Sequence, residues 1–81
     1  MKDLKQALER VIKRIIIPSY PEVSSFEVIP SIFSNIIHIN VKIPRGYRDK
    51  ARLMKLNSEL KTLARMVSDN LDNISIHYSD L

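Results

Sequence analysis

The chain has 81 residues, is 44% hydrophobic and 27% charged, and carries a formal net charge of +4. That balance excludes a disordered chain and leaves room for one hydrophobic core, because chains this short bury only about 60% of their unfolded surface. It holds no cysteine, which excludes disulfides, thiolate metal sites and a thiol nucleophile and fits a cytoplasmic setting.

The first predicted element is a helix. Leu4, Ala7, Leu8, Val11, Ile12, Ile15 and Ile16 follow helical spacing, and Lys2, Lys5, Gln6, Glu9, Arg10, Lys13 and Arg14 fill the opposite face. Asp3 is a suitable N-cap with Gln6 as its capping-box partner, and Pro18 is expected to stop the helix. The charged start, Met1-Lys2-Asp3-Leu4-Lys5, reads as a helix start and not as a signal peptide. The longest apolar cluster, Ile15-Ile16-Ile17, is far below the roughly 18 residues of a membrane span, so no membrane partner is expected.

A hairpin follows. With Ser34-Asn35 as a two-residue turn, Pro30 faces Ile39, Val28 faces Val41, Glu27 faces Lys42 and Phe26 faces Ile43. One face is then wholly apolar: Phe26, Val28, Pro30, Ile32, Ile37, Ile39, Val41 and Ile43. A one-residue slip would turn one strand's apolar set to solvent. The competing reading is a longer loop from Pro30 to Asn35. Pro30 lacks a ladder donor, which assigns its strand to a sheet edge.

Pro44-Arg45-Gly46 breaks the sheet, and a long helix is predicted from about Arg48 to about Asn70. Leu53, Leu56, Leu60, Leu63 and Val67 form its seam, and the cap-preferring pair Asn57-Ser58 marks a point where it can kink or divide. The last strand, Asn73 to Tyr78, turns Ile74, Ile76 and Tyr78 inward and Ser75 and His77 outward. A β-α-β crossover sets it parallel to the second hairpin strand. The expected fold is therefore α+β: one domain over residues 1–81, two layers in the order α-β-β-α-β, a three-stranded mixed sheet with both helices on one face.

No catalytic constellation is expected. The serines fall in turns or near strand ends, Gly-x-Ser-x-Gly is absent, and one glycine cannot build a phosphate loop. His38 and His77 fall on neighbouring strands of the uncovered face, with Asn40, Ser75 and Asp80 as possible neighbours. They lack a third firm ligand, so neither a metal nor another cofactor is assigned.

Two binding surfaces remain. From Lys42 to Arg65 the basic residues are Lys42, Arg45, Arg48, Lys50, Arg52, Lys55, Lys61 and Arg65, opposed by Asp49 and Glu59. Arg45, Arg48, Arg52 and Lys55 are candidate phosphate contacts and Tyr47 a candidate stacking ring, near a helix N-terminus that favours anions. The bland alternative is a solvated helix face and a Tyr-capped turn. The other surface is the uncovered sheet face, where Ile29, Phe33 and Ile36 gather near the hairpin tip beside His38. Exposed apolar residues in such a group mark a partner surface, and a homodimer through that face is the leading expectation.

The element order is that of a type II K-homology-like domain. Phe26-Glu27-Val28-Ile29-Pro30-Ser31-Ile32 and Ile37-His38-Ile39-Asn40-Val41 resemble the hairpin of ribosome-binding factor A. Leu60 to Leu71, with Ile74-Ser75-Ile76-His77-Tyr78-Ser79-Asp80, resembles that family's last helix and strand. The resemblance implies an RNA-binding module acting on a ribosomal subunit. The Gly-x-x-Gly loop is replaced by Leu56-Asn57-Ser58-Glu59 and no glycine stands around Ala64-Arg65-Met66, so no RNA-contacting loop carries over. The same order also resembles the cytoplasmic dimerisation domain of cation diffusion facilitators, whose His-rich metal positions are not matched.

Overall fold

Residues 2–31 and 34–80 are described by the computed structural model, with the side chains of Lys2 and Asp3 left aside. The elements are α1 (Lys2–Val11), a π-helical segment (Ile12–Ile16), α2 (Ile17–Ser19), β1 (Ser25–Pro30), β2 (Ile36–Ile43), α3 (Lys50–Val67) and β3 (Asn73–Asp80). The strands form one sheet in the order β1-β2-β3, with β1 antiparallel and β3 parallel to β2. This is the expected α+β arrangement, with the Pro30 strand at an edge.

The N-terminal helix departs from expectation at both ends. It already includes Lys2 and Asp3, so Asp3 does not stand outside it as an N-cap. It also runs past Pro18 to Ser19 instead of stopping before it. The π-helical segment explains this. Ile17 donates its N–H to the Ile12 carbonyl, five residues back, and a wider turn of this kind accommodates a residue that can neither donate nor tolerate a carbonyl four residues behind it. The wider turn also brings residues four apart into line. Leu8, Ile12, Ile16 and Tyr20 are buried, whereas Ile15 is 47% exposed and Ala7 faces solvent. Both had been expected in the apolar stripe.

The hairpin keeps its predicted faces and loses its predicted register. The observed pairs are Pro30↔Ile37, Val28↔Ile39, Glu27↔Asn40, Phe26↔Val41 and Ser25↔Lys42, two residues from the Ser34-Asn35 alignment. Ser31 N–H donates to the Ile36 carbonyl at 2.9 Å, so the longer loop is the one adopted. Glu27 and Lys42 consequently do not stand opposite each other. A Ser34-Asn35 turn would also set Phe33 opposite Ile36 and Ile32 opposite Ile37; Ile32 and Phe33 lie outside the described residues.

α3 is continuous through Asn57-Ser58. Asp49 caps it, accepting the Arg52 backbone N–H at 3.1 Å, which satisfies one of the free donors of the first turn. Leu56, Leu60, Leu63 and Ala64 of α3 bury against Leu8, Ile12 and Ile16 and against Val28, Ile37, Ile39, Val41, Ile43 and Ile74 of the sheet. Leu53, Val67, Ile76, Tyr78 and Phe26 complete this core as half-buried side chains. The core therefore lies between the helices and one face of the sheet, and the alternate residues of every strand point away from it.

Candidate functional site

The face opposite the helices is built in rows by the strand register. Ile29 stands opposite His38, and His38 opposite Ser75. Glu27 stands opposite Asn40, and Asn40 opposite His77. Ser25, Lys42 and Ser79 form the next row toward α3's start. Ile29 is 40% exposed, and Ile36 and His38 are half-buried. Phe33, the remaining residue expected on this surface, lies outside the described residues. Glu27 and Lys42 offset each other, so the face is close to neutral on a protein whose net charge is +4.

The predicted proximity of the histidines takes a definite form. His38 Nδ1 lies 3.5 Å from His77 Nε2, and the rings stack with centroids 5.7 Å apart and planes 19° from parallel. Ser75 and Asn40 flank the pair. Asp80 does not share this face, because it follows Ile74, Ile76 and Tyr78 in the alternation of β3. Among the described residues no group of three His, Asp or Glu side chains is placed to hold a metal ion.

The basic segment divides into two groups. Arg45, Arg48 and Lys55 are exposed. Arg45 and Gly46 form a turn closed by the Tyr47 N–H on the Pro44 carbonyl at 3.2 Å, with Gly46 at φ 84°, a backbone region that glycine enters without a Cβ penalty.

Arg52 and Tyr47 are instead tied to Glu22, a residue the sequence reading did not single out. Arg52 Nε donates to Glu22 Oε2 in a salt bridge, and its Nη2 reaches Glu22 Oε1 at 3.3 Å and the Ser19 carbonyl at 2.5 Å. The guanidinium also lies 4.5 Å from the centroid of the Tyr20 ring, within cation–π range. Tyr47 Oη donates to Glu22 Oε2 at 2.7 Å. The Arg52 hydrogen bonds, aided by that of Tyr47, hold the Glu22 carboxyl down at about 2. Burial pushes the Tyr20 phenol up to about 12, with the neighbouring Glu59 adding to it. Among the described residues the Tyr20 hydroxyl has no hydrogen-bond partner. This cluster pins the turn after α2 to the first turns of α3, and it commits the charge of Arg52 within the chain.

A shallow groove of about 410 Å³ runs between α3 and β3, lined by Leu53, Met54, Asn57, Ser58, Lys61 and Tyr78. Tyr78 Oη closes its floor by donating to Asn57 Oδ1 at 3.3 Å. Among the described residues no helix is long and apolar enough to cross a membrane. No protein-family model, curated protein or solved structure gives a significant match to this chain.

Proposed function

We propose that the chain is a non-catalytic interaction module that self-associates through the open face of its sheet. The observation that carries this reading is the bare face itself, with Ile29 40% exposed beside the half-buried Ile36 and His38. The occupant is a second copy, because the face is nearly neutral where the rest of the molecule is basic. Among the described residues its one carboxylate and one lysine, Glu27 and Lys42, lie in different rows, so a two-fold axis can bring each opposite its counterpart. Like copies of a +4 protein repel least when they meet on this side.

Replacing Ile29 with Asp and Ile36 with Lys together is expected to weaken dimerisation by roughly 30-fold, or about 2 kcal/mol, since each side chain has only part of its surface left to bury. Sedimentation at rising concentration checks this. A parent that stays monomeric at high micromolar concentration removes the reading.

The second reading, binding of RNA, rests on the solvent-facing Arg45, Arg48 and Lys55. With Arg52 bonded to Glu22, phosphate contact falls to these three. Their joint replacement by Ala is expected to flatten the log–log salt dependence of single-strand binding by about 2, at roughly 0.7 per lost contact. Filter binding of a short single-stranded RNA across a salt series measures it; a slope unchanged by the substitutions assigns the basic segment to solvation.

A further inference from the structure

We propose that His38 and His77 together chelate one divalent transition-metal ion of the zinc, nickel or copper class. Two imidazole nitrogens bound at about 2.0–2.1 Å to a tetrahedral ion stand roughly 3.3–3.4 Å apart. His38 Nδ1 and His77 Nε2 are 3.5 Å apart before any ion enters. The spacing is set by the fold: His77 is opposite Asn40, so the two histidines lie diagonally across adjacent parallel strands, one of them the central strand of the sheet.

The rings stack at 19°, so their in-plane lone pairs run side by side, and binding requires each ring to turn about its Cβ–Cγ bond until both nitrogens face one ion. His77 is exposed and His38 half-buried on the helix-free face, so that rotation displaces no core side chain. The facing nitrogens must be unprotonated to bind, which leaves the ring protons on His38 Nε2 and His77 Nδ1. Asn40 and Ser75, at the neighbouring register positions, supply polar groups of the kind that orient ligating rings. Glu27 lies in the row of His77, beyond Asn40, and offsets part of the charge of an incoming dication.

Imidazole selects borderline metals over magnesium or calcium, which prefer oxygen ligands. The chain supplies two ligands, and water takes the remaining positions. The inference requires the face to be accessible, so it concerns the dissociated chain, and self-association through that face would compete with the ion.

The test uses chelator-stripped protein at low micromolar concentration, titrated with ZnCl2 and separately with MgCl2. Long-range 1H–15N spectra follow the imidazole signals, and calorimetry gives the affinity. Zinc is expected to move both ring signals together and to saturate at one ion per chain, while magnesium moves neither. His38→Ala and His77→Ala are each expected to lower zinc affinity at least tenfold, with an unchanged far-UV spectrum. A response from one ring only, or parental affinity in either single variant, overturns the proposal. The ring signals of the parent decide the matter even if a variant folds poorly. Sedimentation of the stripped protein in EDTA reports self-association separately, so failure of one idea is distinguishable from failure of the other.

Discussion

Replacing Ile39 with Ala is expected to cost the fold about 2–5 kcal/mol, the range for truncating a fully buried Ile. Ile39 is 0% exposed and sits on the central strand, opposite Val28 on one side and Ile76 on the other. The loss therefore opens a cavity where both cross-strand neighbours and the helices converge, and little can collapse into it. A chain of 81 residues has roughly 4–12 kcal/mol of stability in total, so this one substitution removes a large share of it. His38 supplies the internal control. It is the preceding residue on the same strand, points to the other face, and on replacement by Ala should cost under about 1 kcal/mol. Urea denaturation midpoints of the two variants decide the matter. Equal losses at both positions would mean that the sheet is covered on both faces.

That contrast between neighbours shows which parts of the fold were legible in the sequence. Alternation along the strands distinguishes the two faces, and the inward residues of β2, Ile37, Ile39, Val41 and Ile43, are buried as the pattern implied. The same pattern is blind to a shift of two residues, because such a shift returns every side chain to its own face. Only turn chemistry separates Pro30↔Ile39 from the observed Pro30↔Ile37. Ser34-Asn35 lacks the glycine that would have enforced a two-residue turn, and the longer loop forms instead.

In the N-terminal helix the spacing of Leu4, Leu8, Val11 and Ile12 announced the helix and its buried side. The π-helical segment was not legible, since a continuous run of isoleucines fits an α or a π phase equally well. Ile15 is the residue that the change of phase turns outward. The parallel third strand and the meeting of His38 with His77 followed from element order and alternation. The Glu22 cluster had no comparable signal. Glu22 is a single acid in a turn, and its partner Arg52 lies thirty residues away, inside a stretch whose arginines all look alike as sequence. What distinguishes Arg52 is the position of α3 over that turn, a product of tertiary packing.

Lowering the pH is expected to expose the value of that cluster. The Glu22 carboxyl is drawn from its ordinary 4.5 to about 2 in the folded protein, first by the Arg52 hydrogen bonds. A depressed carboxyl contributes stability in full above the unfolded value and loses it as pH falls toward the folded one. The contribution should therefore be intact at pH 5 and nearly gone at pH 2. Its side chain is only 12% exposed while that of Arg52 is 36% exposed, so solvent screens the pair less than a surface bridge and more than a buried one. Glu22→Gln at pH 7 is expected to cost about 2–3 kcal/mol, below the 3–5 kcal/mol of a fully buried pair broken on one side. The amide keeps an acceptor for Tyr47 and loses the charge that holds the guanidinium. The two effects share one origin, which makes the decisive measurement a comparison of slopes. Urea midpoints taken from pH 5 to pH 2 should fall more steeply in the parent than in Glu22→Gln, and the two curves should approach each other at the acid end. Parallel curves would show that the acid sensitivity of the fold comes from other carboxylates and that the Glu22–Arg52 contact contributes nothing that protonation can remove.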